Sequence, residues 1–110
     1  MKVTKKRRLE AAGWKVADAK QFLGLSDEET LLIELKIDLA ASLRKRRRSK
    51  NLSQRDVAGR LGSSQSRVAK MEGADPSVSI ELLLKSLFSL GATRRDIARV
   101  IGTKTRRQAA

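Results

Sequence analysis

Apolar residues recur along most of this chain at the spacing of an α-helix, not of a strand. Leu32, Leu35, Leu39 and Leu43 share one stripe at about 100° per residue. Ile33, Ile37, Ala40 and Ala41 make a second stripe, rotated by about a third of a turn. Polar signals mark both ends of this stretch. Ser26, with Glu29 three residues on, has the form of a capping box. Asp27, Glu28 and Glu29 open it, and Arg44, Lys45, Arg46, Arg47 and Arg48 lie near its end, so both ends suit the helix dipole. The pattern predicts a long helix over 27–49. Its first stripe can face a small core. Its second must also be covered, by the segment before it or by a second copy of the chain.

The pattern then shortens. Asn51 stands where the chain needs a left-handed residue. Ser53 and Asp56 form a second capping box, and Val57, Ala58 and Leu61 follow on one apolar face. Gly62 is suited to end that helix in the left-handed region, and Ser63 or Ser64 to cap the next. In the second helix Val68 and Met71 point inward, which leaves Gln65, Ser66, Arg67 and Lys70 outside. Residues 53–72 therefore read as two short helices joined by a tight turn. The outer face of the second is polar and basic, with no acid before Glu72, as entry into a DNA major groove requires.

Beyond the lone proline, Pro76, either Ser77 or Ser79 caps a helix from Ile80 to about Leu90, whose Leu82, Leu83, Leu87 and Leu90 face the leucine stripe. Gly91 closes it. Thr93 with Asp96 opens a last helix to about Ile101, with Ile97, Val100 and Ile101 as its apolar face. Upstream, Asp18 and Gln21 can cap a short helix ending at Gly24, with Phe22, Leu23 and Leu25 apolar and Trp14 and Val16 packing locally. The expected organisation is all-α: a basic tail and short helical extension over 1–25, a helix-turn-helix domain over 26–102, and a basic tail over 103–110. The Lys5–Arg8 run is read as a solvated tail that can lie along phosphates on DNA.

Charge sharpens this reading. The 110 residues carry 25 Lys+Arg against 12 Asp+Glu, a formal net charge of +13. Such a field attracts polyanions, nucleic acid first among them. There is no Cys and no His, which excludes disulfides and the usual thiolate and imidazole metal sites. No glycine-rich phosphate loop is present, and the acids fall where capping explains them. The chain is therefore not expected to be an enzyme, to bind a metal or to carry a cofactor. No stretch approaches the length of a membrane span, so the expected location is cytoplasmic, associated with the nucleoid through DNA. Aromatics at 3% argue against a protein that coats single strands by stacking.

From about Leu43 to Gly91 the sequence resembles the Cro/repressor (xenobiotic-response-element) type of helix-turn-helix. The resemblance rests on the basic helix end, Leu52-Ser53-Gln54, Val57-Ala58, Leu61-Gly62, Ser64-Gln65-Ser66, Val68, Met71-Glu72-Gly73 and Leu87-Leu90-Gly91. Gly13-Trp14-Lys15-Val16 to Leu23-Gly24-Leu25-Ser26 resembles the lead-in of HigA-like antitoxins. The resemblance implies a lambda-repressor-like domain of five helices that binds double-stranded DNA. By position it implies base contacts from Gln65, Ser66 and Lys70, and phosphate contacts from Gln54 and Ser64. Arg55 and Arg67 are expected on the DNA backbone as well. Arg47 and Glu72 match a buried ion pair; Glu72 is the only acid of its helix, and Arg47 lies at the edge of the leucine stripe. The expected role is a transcriptional regulator acting as a homodimer. The alternative is an antitoxin that also binds a toxin protein partner, which a charge of +13 disfavours if that toxin is basic. The strongly basic start of the last helix, at Arg94 and Arg95, departs from the family pattern.

Overall fold

Ser26 starts the longest element as its sequence requires. Its hydroxyl accepts from the Glu29 N–H at 3.1 Å, and the Glu29 carboxylate accepts from the Ser26 N–H at 2.9 Å. The helix that follows, α1, spans Asp27–Ser49 in the computed structural model, which describes residues 21–102. The expectations for the Lys5–Arg8 run, Trp14, Val16, Asp18 and the 103–110 tail lie outside those residues. Residues 21–23 are helical and Gly24 is left-handed at φ 67°. After α1 come α2 (Gln54–Leu61), α3 (Gln65–Glu72), α4 (Ile80–Ser89) and α5 (Arg94–Gly102). No strand occurs among the described residues, so the fold is all-α.

Helix α1 is the hub, packing against α3, α4 and α5. Leu39, Ala40 and Leu43 are fully buried in the core, and Leu35 packs against its edge. The two-stripe expectation needs correction here. Leu32 is 52% exposed, because the first turns of α1 run past the core, whose fully buried α1 residues begin at Leu39. Ala40 of the second stripe is buried, as a covered stripe requires, since neighbours wrap a wide arc of α1. Of the rest of that stripe, Ile33 and Ile37 are half-buried and Ala41 is exposed. Val57, Val68, Met71, Val78, Leu83, Leu87, Leu90 and Ile97 complete the core. Leu82 is only half-buried, and Ile101 projects outward at the end of α5. The Ser86 hydroxyl, also buried, lies 2.8 Å from the Leu82 carbonyl and 3.4 Å from the Met71 sulfur, tying α4 to α3.

Helices α2 and α3 have eight residues each, too few to persist alone. Their ends are secured by specific bonds. Ser53 and Asp56 cap each other's backbone N–H at 3.0 and 2.8 Å, and Ser64, not Ser63, caps α3. Four helices end with a left-handed residue: Asn51 (φ 55°), Gly62 (φ 62°), Ala74 (φ 53°) and Gly91 (φ 93°). In each case the next N–H reaches back to a carbonyl five residues earlier. Leu52 bonds Arg47, Ser63 bonds Ala58, Asp75 bonds Lys70 and Ala92 bonds Leu87, at 2.8–3.1 Å. Ser79 caps α4, while Ser77 bonds Asp75 in the preceding turn. Thr93 and Asp96 cap α5 reciprocally at 2.8 and 3.1 Å.

Two predictions follow from these ends. Ala74 holds a backbone region that costs an L-residue with a Cβ about 1–2 kcal/mol, against a smaller entropic cost for glycine. Ala74→Gly should therefore raise stability by about 0.5–1 kcal/mol in thermal or urea denaturation. The capping carboxylates of Glu29, Asp56 and Asp96 titrate below their ordinary values, chiefly because backbone N–H groups at the helix starts bond their charged forms. A depressed folded-state pKa contributes stability above the unfolded value and loses it as pH falls through the folded one. The melting temperature should thus drop on acidification below about pH 4. The variant E29Q/D56N/D96N should melt lower at neutral pH and show a flatter acid limb.

Candidate nucleic-acid interface

Gln54 begins α2 and Gln65 begins α3, so the turn at Gly62 brings the two helix starts to one surface. At about 100° per residue, Gln65 stands at one edge of the exposed face of α3. Ser66 and Lys70 run along its middle, and Arg67 flanks the far edge. All four are exposed, whereas Val68 and Met71 on the opposite side are fully buried. Arg55 is exposed beside Gln54 on α2. The Ser64 hydroxyl accepts from the Arg67 N–H at 3.2 Å and lies 3.2 Å from the Ser66 hydroxyl. The surface thus gathers Gln54, Arg55, Ser64, Gln65, Ser66 and Arg67 at two adjacent helix starts, with Lys70 in the last turn of α3 on the same face. The first N–H groups of a helix have no carbonyl partner within the helix, an arrangement that favours anions at such starts.

Behind this surface lies the ion pair. Arg47 Nε donates to Glu72 Oε2 at 2.6 Å, and its Nη2 donates to Glu72 Oε1 at 3.0 Å. The side chains are 12% and 4% exposed, so Glu72 is nearly enclosed while Arg47 keeps an edge to solvent. The bond to Glu72 raises the Arg47 pKa above its ordinary value, outweighing partial desolvation. Arg47 Nη1 also donates to the Leu52 carbonyl at 2.9 Å, so one guanidinium joins α1, the α1–α2 turn and the end of α3.

Sequence reasoning did not anticipate what Gln54 does in the free protein. Its Nε2 donates to Glu72 Oε1 at 3.2 Å, and its Oε1 accepts from Gln65 Nε2 at 2.8 Å. The residue expected on a phosphate is thereby also a bridge between the Arg47–Glu72 pair and the start of α3. One signal was available: Gln65 and Glu72 are seven residues apart, two helical turns, and so share a side of α3. Two further tethers were missed. Lys36 Nζ donates to the Asp75 carbonyl at 3.3 Å, holding the loop after α3 against α1. Arg46 Nη2 meets Asp96 Oδ2 at 3.3 Å, fixing α5 to α1. A groove of about 540 Å³ lies at that α1–α5 seam, lined in part by Lys45, Ala92 and Val100 and by no residue of α3.

Two capped helices joined by a left-handed glycine, with the second presenting a polar, basic face, define a DNA-binding helix-turn-helix protein. The chain belongs to the helix-turn-helix domain family, whose pattern it matches over residues 38–100. That span takes in α2, α3 and α4 entirely. No curated protein and no solved structure matches the chain. Among the described residues no group of His, Cys, Asp and Glu could hold a metal ion, and no helix is long and apolar enough to cross a membrane.

Removing one member of a buried pair strands the other. Glu72→Ala should lower stability by about 3 kcal/mol, read as a fall in urea midpoint. Replacing both Arg47 and Glu72 with Met should cost less than Glu72→Ala alone. An unchanged midpoint in Glu72→Ala would rule out a structural role for the pair.

Proposed function

We propose that the chain is a sequence-specific double-stranded DNA-binding transcriptional regulator. The observation that carries this reading is the exposed face of α3, where Gln65, Ser66 and Lys70 stand clear of the core and Gln65 is held in place by Gln54. Glutamine pairs bidentately with adenine in the major groove, and lysine donates to guanine. Gln54, Arg55, Ser64 and Arg67 hold phosphates, which set position and carry no sequence information. The net charge of +13 supplies the non-specific, salt-dependent part of binding. The same residues support no catalysis, and DNA binding calls for no cofactor. The location in this reading is the cytoplasm, on the nucleoid.

One recognition helix covers a short site, so the working unit in this proposal is a homodimer reading two half-sites about 34 Å apart. Exposed Leu31, Leu32, Phe88 and Ile101 supply apolar area for pairing. The lead-in resemblance to HigA-like antitoxins supports a second reading, in which a toxin protein is a further partner. In that case the chain's charge of +13 requires a toxin that is not strongly basic.

A binding selection from random duplexes tests the proposal, and an inverted repeat should emerge. On that site Gln65→Ala should cost about 1–3 kcal/mol, with little loss on scrambled DNA. Arg55→Gln should weaken binding to both duplexes and flatten the salt dependence by about one unit of slope. Equal losses on both duplexes for Gln65→Ala would remove Gln65 from base reading.

A further inference from the structure

Arg46 and Arg47 stand side by side on α1 and meet their acids unequally. Arg47 gives Glu72 the Nε and Nη2 edge of its guanidinium, one donor to each carboxylate oxygen, at 2.6 and 3.0 Å. The same edge of Arg46 is half used. Its Nη2 reaches Asp96 Oδ2 at 3.3 Å, an oxygen that already accepts from the Thr93 N–H at 2.8 Å. Its Nε is buried and meets no acceptor among the described residues. Asp96 does not depend on Arg46 in return. The Thr93 backbone bond is the first cause of its lowered pKa, and the Arg46 charge is a lesser one. A buried donor without an acceptor is destabilising and rare. The Arg46 edge is matched to one further carboxylate, and Arg46 lines the α1–α5 groove.

We propose that this groove is a binding site for a small amphipathic monocarboxylic acid, its carboxylate held by Arg46 and Lys45 and its hydrocarbon body laid on Ala41, Ala92, Ile97 and Val100. The volume of about 540 Å³ is that of a small-molecule site. Lys45, Arg46 and Arg99 outnumber Asp38 and Asp96 by one, so a single negative charge complements the lining. Lys45 is exposed, and no described acid pairs with it. The Arg46 side chain is 26% exposed, so a rotation of its guanidinium turns the Nε and Nη2 edge into the groove. A carboxylate there accepts from both donors, as Glu72 does from Arg47, and leaves Asp96 to the α5 cap alone. Nucleic acid suits the groove poorly, since an apolar floor without aromatic rings offers no stacking surface. No residue of α2 or α3 lines it, so the site is separate from the DNA-facing surface.

Octanoate is the probe, titrated into the full chain and followed by NMR, with acetate and octanol as controls. Octanoate should give saturable shifts centred on Ala92, Ile97 and Val100. The Arg46 Nε proton should move downfield as it gains an acceptor. Acetate lacks the hydrocarbon body and should bind about tenfold more weakly or worse. Octanol lacks the charge and should lose about tenfold as well. Shifts centred on α2 and α3, as for any anion drawn to a chain of net charge +13, would overturn the proposal. So would equal affinity for octanoate and octanol, the mark of an apolar patch alone, or an Arg46 Nε proton that stays in place.

Two substitutions check the two ends of the ligand. Lys45→Glu sets a negative charge against the carboxylate and should weaken octanoate about tenfold while leaving octanol unchanged. Ala41→Phe fills the floor and should weaken both. Both positions are exposed, so each variant should melt near wild type. Unchanged octanoate affinity in either folded variant would overturn the site. Sedimentation covers the other occupant. A wild-type dimer that excludes octanoate and that Ala41→Phe splits would give the groove to a second copy of the chain and overturn the proposal.

Discussion

The bidentate contact between Arg47 and Glu72 is the constraint on which the recognition surface depends. It joins the end of the longest helix to the end of one of the shortest, and the same guanidinium holds the Leu52 carbonyl where the chain turns into α2. Helices of eight residues are marginal in isolation, so α2 and α3 take their orientation from what they lean on. Beneath them lies an aliphatic core of Val57, Val68, Met71 and the α1 and α4 leucines. An aliphatic core is tolerant of sliding, because its contacts have little direction. A buried guanidinium–carboxylate pair is not, since both partners must meet in register or leave charge unsatisfied.

Position along α1 then divides the labour. Near its C-terminal end Arg46 and Arg47, adjacent in sequence, point to different helices: Arg46 to Asp96 of α5 and Arg47 to Glu72 of α3. Further back, Lys36 reaches the loop that follows α3. Burial lowers the Lys36 pKa, with the Asp75 charge opposing the shift. The exposed cations of α1, α2 and α3 remain for solvent or polyanion. Basic residues of one run thus serve two purposes, and composition alone does not separate them.

Much of the fold was legible from single residues. Ser26 with Glu29, Ser53 with Asp56, and Thr93 with Asp96 each announced a helix start that the structure contains, because capping is local and the residues suffice. Asn51, Gly62 and Gly91 likewise marked ends. What stayed hidden depends on tertiary placement. Ala74 takes a left-handed turn that its side chain gave no reason to expect; the closing bonds to Lys70 and Met71 impose it. Leu32 matched a core stripe by period, yet periodicity gives the direction of a side chain and not where the core stops. At the recognition surface, the outward set Gln65, Ser66, Arg67 and Lys70 followed from helical phase. The Gln54 bridge did not, since it needs the angle between α2 and α3, which no local pattern specifies.

The seat of Met71 has one more consequence, for chemical damage. Its sulfur lies in the core between α3 and α4, beside the Ser86 hydroxyl, and the residue is 1% exposed. Thioether oxidation needs solvent access, and a sulfoxide at this point would place a strong dipole among aliphatic neighbours. In the closed fold oxidants do not reach it. Reaching it requires that α3 part from α4, a movement that would also disturb the exposed face of α3. The rate of Met71 oxidation under mild peroxide is therefore a clock for local opening of the recognition helix, and each event it records leaves a chain less able to close again.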